Sequence, residues 1–364
     1  MSKQKVMILG KLPPPYMGPS IATELLLKSD LKNRFELIHL DTKINHTIKS
    51  FGKWNLEKVV KNISIYVKMF SLMRKHKPAV VLIPISQTTT GFIKDSLFIV
   101  IASWFKTKIV IQLRGSDFKN WLSNSSDNVN RYVKLVLTKT SGVVVLGQNL
   151  KYLFADYFKP EQIFVIPNGG NYQFPEITKH TEEIKILYFA NLLASKGIED
   201  VFKAVEILNK QTNQSFSVDV VGEWYDKVLE ERCIALQQQQ NLPIRIHSPK
   251  SGNAKFHFLA DAAIFLFPPR EPEGHPWSIV EAMAAGLPVI STDQGAIIES
   301  VIDQKNGFIV APKSPEKISE KLKLLLENSE LRVQMGTQSR QLYLDNFTEE
   351  KMVEKYTALF NTFI

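Results

Sequence analysis

The sequence predicts an α/β protein built from two doubly wound parallel-sheet domains. Three observations carry this expectation. The chain has 364 residues, which at about 150 residues per domain fits two domains. Short β-branched runs recur, each followed by a helical pattern, as in buried parallel strands joined by crossover helices. A polar, turn-rich segment at 168–183, NGGNYQFPEITKHTEE, interrupts that alternation before it restarts.

In the first domain, residues 1–175, the strand-like runs are 6–10, 36–40, 79–84, 108–113, 142–147 and 163–167. Helical patterns fill the gaps at about 20–30, 55–76, 92–104, 128–140 and 148–158. The second domain, 176–345, restarts with runs at 184–190, 215–222, 242–248, 262–268, 287–292 and 307–310. Residues 314–364 read as wholly helical, with Thr348 as the N-cap of a last helix and Glu349 and Glu350 in its first turn. Ligands of such sheets bind outside the carboxyl ends of the strands, which places the expected crevice between the two domains.

Composition narrows the class. With 44% hydrophobic and 22% charged residues the chain can bury sizeable cores. Its one cysteine, Cys233, allows no internal disulfide, and no apolar signal core opens the sequence, so a cytoplasmic location is expected. The longest apolar stretch, 96–105, is about half of the ~20 residues needed to cross a bilayer. Charge is uneven. Residues 1–180 hold 26 Lys and Arg against 11 Asp and Glu, and residues 181–364 hold 19 against 25. A first half at +15 points to an anionic partner or to simple solvation.

Several chemistries lack their motifs. The first βα turn, GKLPPPYMGPS, has no G-x-G-x-x-G, and no P-loop, nucleophile elbow, C-x-x-C or H-E-x-x-H occurs. The informative segment is FPPREPEGHPWSIVEAMAAGLPVIST at 267–292. A strand ends in a Pro-rich loop presenting Glu271, Glu273 and Gly274, and a helix begins near Pro276 and stops at Gly286. The N–H groups of Trp277 and Ser278, with the positive end of the dipole, suit a phosphate. Glu281, further into the helix, has two oxygens for a vicinal diol such as ribose. An amphipathic helix with a solvated glutamate at each end fits the same spacing. Eight helical residues separate Glu273 from Glu281 by about 12 Å, too far for the roughly 5–9.5 Å of a glycosidase pair.

The arrangement EGHPWSIVEAMAAGLPVIS, two glutamates separated by seven residues, resembles the signature of family 4 of the retaining, nucleotide-sugar-dependent glycosyltransferases with the GT-B fold. LPPPYMG, RGSDF at 114–118, IPNG at 166–169, NLLASKG at 191–197, VVG at 220–222 and ADAAIFLFPP at 260–269 follow in matching order. The resemblance implies two Rossmann-like domains facing a cleft, with helix 346–364 returning to the first. It implies that Glu273 contacts donor sugar hydroxyls, that Glu281 holds the ribose and that Lys196 neutralises the diphosphate, with Glu273 and Lys196 the catalytic pair. Asn191, Gly274, His275, Trp277 and Ser278 complete the donor side, and Gly18, Arg114 and Asp117 stand on the acceptor side. Read alone, Lys196 is one basic residue beside a Gly197 turn.

Three positions depart from the family pattern. Asn191 stands where an arginine is usual, Arg114-Gly115 replaces a His-Gly pair, and Pro276 removes one N–H from the phosphate cradle. Arg114 either clamps a substrate phosphate or carboxylate or forms a salt bridge with Asp117. No metal or other cofactor is expected, since family members need no divalent ion and the chain has no D-x-D. The expected reaction moves a sugar from a UDP or GDP donor to a saccharide or lipid-linked saccharide, in bacterial surface polysaccharide or glycolipid assembly. A nucleotide-sugar epimerase and an inactive binding subunit are the alternatives. The basic, aromatic stretch 51–78 fits an anionic membrane surface or a helix packed on the sheet with a solvated lysine face. Nucleic acid ranks lower, because no nucleic-acid motif accompanies the charge.

Overall fold

The computed structural model describes residues 3–14, 17–43, 56–177 and 183–364, with the side chains of 56–62 left aside. The chain forms two compact units, Met1–Gly170 with Glu349–Ile364, and Asn171–Thr348. The sequence puts these divisions at 175 and 346; the structure puts them at Gly170 and Glu349.

The first unit runs β1 (Lys5–Gly10), α1 (Gly18–Lys28), α2 (Leu31–Arg34), β2 (Glu36–Asp41), α3 (Leu56–His76), β3 (Val80–Ile85), α4 (Thr89–Ser103), β4 (Lys108–Leu113), α5 (Phe118–Ser123), α6 (Asp127–Leu137), β5 (Gly142–Val145) and β6 (Ile163–Val165). Its strands pair in parallel in the order β2-β1-β3-β4-β5-β6. The helix expected at 148–158 is instead a short 3₁₀ helix, Gln148–Leu153. There Leu150 N–H donates to Gly147 O at 3.1 Å and Phe154 N–H to Lys151 O at 3.1 Å. The tighter winding buries Leu150, Leu153 and Phe154 together.

The second unit runs β7 (Ile184–Phe189), α7 (Ile198–Asn209), β8 (Phe216–Val221), α8 (Lys227–Gln239), β9 (Ile244–His247), α9 (Gly252–Asp261), β10 (Ile264–Phe267), α10 (Trp277–Ala284), β11 (Val289–Thr292), α11 (Ile297–Ser300), β12 (Gly307–Val310), α12 (Pro315–Glu327) and α13 (Ser329–Asn346). The order is β12-β11-β10-β7-β8-β9, again all parallel. Every strand-like run in the sequence has become a strand. Their continuous apolar composition follows from burial on both faces.

The last helix, α14 (Glu349–Phe363), belongs to the first unit. Met352, Val353, Tyr356, Leu359 and Phe360 form one buried stripe. They share a core with Val6, Ile8, Val80, Leu82, Val110 and Val144 of the sheet and with Leu26 and Leu31 of α1 and α2. Right-handed crossovers put α3, α4 and α6 on the opposite face, because those connections advance along the sheet while that of α1 steps back. Phe360 is fully buried, with its ring 5.5 Å from Phe35 in an edge-to-face contact. Phe360→Ala should cost about 3–5 kcal/mol. The check is a urea titration, in which the exposed Ile364→Ala should leave the midpoint in place.

Candidate functional site

Three loops gather at the carboxyl end of the second sheet, and two glycines let them meet. Gly197 has φ +77° and Gly295 φ +60°, and a Cβ on either would run into the carbonyl oxygen of Pro268 or Glu273. Arg270 N–H donates to Ser195 O at 2.8 Å and Ala296 N–H to Gly274 O at 2.8 Å. Arg270 also forks onto Asp200, Nε and Nη2 donating at 2.6 Å each, while Nη1 reaches Glu199 at 3.0 Å. The loop after β10 is thus fixed against the start of α7.

This frame places Lys196 against Glu273, joined as an ion pair. Tyr188, fully buried, donates its hydroxyl to Lys196 O at 3.1 Å and so anchors the lysine's backbone. Burial raises the Glu273 carboxyl above its usual range, with Lys196 pulling the other way. Glu281 lies in α10, 5% exposed, and its Oε1 pairs with Lys255 of α9. Its Oε2 is buried with no hydrogen-bond partner. Burial raises this carboxyl too, against the attraction of Lys255. An acceptor oxygen left over in this way is costly unless a donor reaches it.

The other expected residues divide. Gly274 belongs to the buried loop that touches Ala296. The helix starts one residue later than expected: Pro276 is the cap and Trp277 the first helical residue. The first intrahelical bond is Val280 N–H to Pro276 O at 3.4 Å, so of the four N–H positions at this helix end the proline leaves those of Trp277, Ser278 and Ile279. Ser278 is half-buried there and Trp277 is 9% exposed. The His275 Nε2 lies 2.6 Å from Ser300 Oγ, its ring 5.1 Å from that of Phe347, and it is 4% exposed, so its side chain is held inside the loop. Asn191 is exposed in the loop that carries Lys196.

In the first unit, a cavity of about 210 Å³ opens where β1, β3 and β4 end, lined among others by Lys11, Thr23, Ser86, Asp95, Gln112 and Arg114. Gly18 opens α1, whose Pro19 and Thr23 reach the cavity. Arg114 does not pair with Asp117. Its Nη2 donates to Gln112 Oε1 at 3.1 Å and its Nη1 to Asn168 Oδ1 at 3.2 Å. Asp117 instead accepts from Asn120 Nδ2 at 2.9 Å, and its own N–H donates to Gln87 Oε1 at 2.9 Å. Among the described residues no carboxylate reaches salt-bridge distance of Arg114. Of the stretch 51–78, residues 51–55 and the side chains of Lys58, Val59 and Lys61 lie outside the described residues; Met69 and Met73 are buried and Ile63, Val67 and Phe70 exposed.

Lys255, Arg270 and Asp200 pair with or frame the candidate site residues and Asp95 lines the first unit's cavity, and spacing alone does not find them. Lys255 and Arg270 meet their acids only through the packing of α9 and α7.

Comparison with known proteins agrees with this geometry. Residues 171–342 match the family model of the glycosyl transferases, group 1, and this span lies within the second unit. It is 26% identical to an uncharacterized glycosyltransferase of Haemophilus influenzae over 62% of either chain, so it spans about six tenths of that relative's length. It is 23% identical to CapM, a capsular polysaccharide biosynthesis glycosyltransferase of Staphylococcus aureus, over 90% of this chain and 88% of that one. Among solved structures, Anabaena HepE in complex with UDP and glucose superposes with a TM-score of 0.72 at 14% identity, covering 99% of this chain and 100% of that one. At that identity the likeness shows a shared fold, the two-sheet GT-B architecture.

Asp95 yields a pH prediction. Burial raises its carboxyl to about 6, although the Ser86 N–H donates to its Oδ2 at 2.7 Å. Its folded pKa lies above the unfolded value, so ionisation opposes folding, and stability should fall as pH rises from about 4 to about 6. Each tenfold change in proton affinity is worth roughly 1.4 kcal/mol, so Asp95→Asn should flatten that fall and leave the protein more stable at pH 7 by an amount on the order of 2 kcal/mol. Urea midpoints from pH 4 to 7 test it; a parallel curve for the variant would rule it out.

Proposed function

We propose that the protein is a retaining, metal-independent glycosyltransferase of hexosyl type. It moves a sugar from a UDP or GDP donor bound by the second unit to a saccharide or lipid-linked saccharide held by the first. The observation that carries this reading is the pair of lysine-held glutamates at one sheet end, Glu273 with Lys196 and Glu281 with Lys255. The unsatisfied Glu281 Oε2 suits a ribose hydroxyl. Lys196 and the first turn of α10 suit the diphosphate, whose negative charge grows as the sugar leaves. Glu273 then takes sugar hydroxyls, and the leaving phosphate takes the acceptor's proton. In the first unit Arg114 clamps an anionic group of the acceptor.

The names of relatives support a setting in bacterial surface polysaccharide assembly, CapM among them. The reading includes a cytoplasmic enzyme that works at an anionic membrane surface, the +15 charge of residues 1–180 supporting it. Each basic residue near such a surface contributes about 1 kcal/mol. Incubation with a panel of UDP- and GDP-sugars and saccharide acceptors tests the reaction. A product one sugar heavier than the acceptor supports transfer, and an isomerised donor without acceptor overturns it in favour of an epimerase.

Lys196→Ala should lose a charge-assisted contact of roughly 1.5–3 kcal/mol and weaken UDP or GDP binding while free nucleoside binds nearly as before. Glu281→Gln should raise the apparent donor constant, and Glu273→Gln should chiefly lower turnover; calorimetry and initial rates separate these. Turnover should also survive excess EDTA, because Lys196 and the helix end supply the charge that a divalent ion supplies elsewhere. Loss with EDTA and full rescue by one metal would refute this.

A further inference from the structure

We propose that α3 and α4 form one membrane-docking face, in which an apolar ladder enters the headgroup region of an anionic bilayer and a rim of lysine and arginine holds it there. The inference rests on the membrane reading above and deepens it, moving the contact from one basic stretch to a surface shared by two helices.

The ladder is visible in the exposures. On α3, Ile63, Val67 and Phe70 are 56%, 63% and 42% exposed at i, i+4 and i+7, while Met69 and Met73 on its other face are fully buried. Ile93 and Leu97 on α4 are 46% and 41% exposed, and Trp104, which caps that helix, is 65% exposed. The Tyr66 ring lies 4.8 Å from that of Phe98, and its hydroxyl donates to Lys94 O at 3.1 Å. The Phe70 ring lies 6.5 Å from Trp104 and 5.2 Å from Phe105. The helices therefore run side by side in parallel, residue 66 beside 94 and 98, residue 70 beside 104 and 105. Their exposed stripes form one surface. A solvated helix pair places polar side chains there, and contiguous apolar patches mark interaction sites.

Charge selects the occupant. From Ile63 to Lys108 the chain has seven Lys and Arg, Lys106 and Lys108 included, against one acid, Asp95. That carboxylate accepts the Ser86 N–H at 2.7 Å and is engaged with its own unit. Lys68, Arg74, Lys75, Lys94 and Lys106 are exposed around the ladder. A second copy would set this basic rim against itself, and like charges across an interface repel. An anionic lipid surface satisfies both features, with headgroups on the cations and apolar side chains, tryptophan above all, in the interfacial layer. Among the described residues no helix is long and apolar enough to cross a membrane, so the contact lies along the surface.

The test is sedimentation of the full chain with phosphatidylcholine vesicles and with vesicles that also contain phosphatidylglycerol. Wild type should bind the anionic vesicles at least tenfold more tightly. L97S/W104S on α4 and I63S/V67S on α3 should each lose most of that binding while melting and UDP binding stay unchanged, since the substituted positions are exposed. K68E/K94E should erase the preference for phosphatidylglycerol. Anionic vesicles bound equally by wild type and by both serine variants would overturn the docking face and leave the membrane reading standing. Failure of wild type to bind any vesicle would overturn both, with donor binding untouched. A dimer in solution that the serine variants dissolve would assign the face to a second copy and overturn the lipid proposal.

Discussion

The site of the second unit depends on the fork of Arg270 onto Asp200. Asp200 is 2% exposed, and its charge is tolerable there because two short guanidinium bonds and the N-terminus of α7 compensate it. Removing one partner of such a buried pair costs about 3–5 kcal/mol, because the other charge stays buried. The fork also ties two loops that are distant in sequence. Ser195 O accepts the Arg270 N–H, Lys196 follows Ser195, and Glu273 stands three residues beyond Arg270. The lysine and the glutamate meet because the arginine and aspartate do.

Within that frame the two glutamates are held in different states of satisfaction. Glu273 and Glu281 are both raised by burial and both countered by a lysine. Lys196 is the more exposed of the two lysines, 29% against 16% for Lys255. Lys196 is thus, on the proposed reading, the lysine open to an arriving diphosphate, while Lys255 stays with its carboxylate and orients it. On the proposed reading, donor binding divides the Lys196 charge between Glu273 and phosphate, and frees the glutamate for sugar hydroxyls. Glu281 needs no such exchange, since one of its oxygens is already without a partner.

Sequence and structure agree where the governing physics is local. Runs such as VVLIPI and KIVIQL declare strands buried on both faces, and the Pro-Gly-bounded segment between Glu273 and Gly286 declares a loop and a helix. The Gln148–Leu153 segment is ambiguous, because apolar positions 150, 153 and 154 over six residues fit a period of 3.0 as well as 3.6. The stripe Met352, Val353, Tyr356, Leu359 and Phe360 shows that α14 buries a face; its spacing does not say against which sheet. Lys255 and Arg270 are invisible for the same reason. Their partners lie 26 and 70 residues away, and only the packed sheet brings them together.

The first unit shows how far that non-local control reaches. Gln112 Oε1 accepts from Arg114, so its Nε2 is the donor, and it meets Tyr356 Oη on α14 at 2.6 Å. Burial keeps the tyrosine's hydroxyl neutral, its pKa raised above the usual phenol. Arg114 is thus held by an amide from its own strand, an amide beyond β6 and, through Gln112, a helix from the far end of the chain. All of these partners are neutral. Burial lowers the guanidinium pKa from its usual value, but arginine starts so far above neutrality that it stays charged at pH 7. The cavity beside it is lined by Lys11 as well as Arg114, together with Asp95, whose carboxyl burial raises to about 6. The setting of Arg114 thus depends on α14, whose Tyr356 locks the glutamine that accepts the arginine's hydrogen bond.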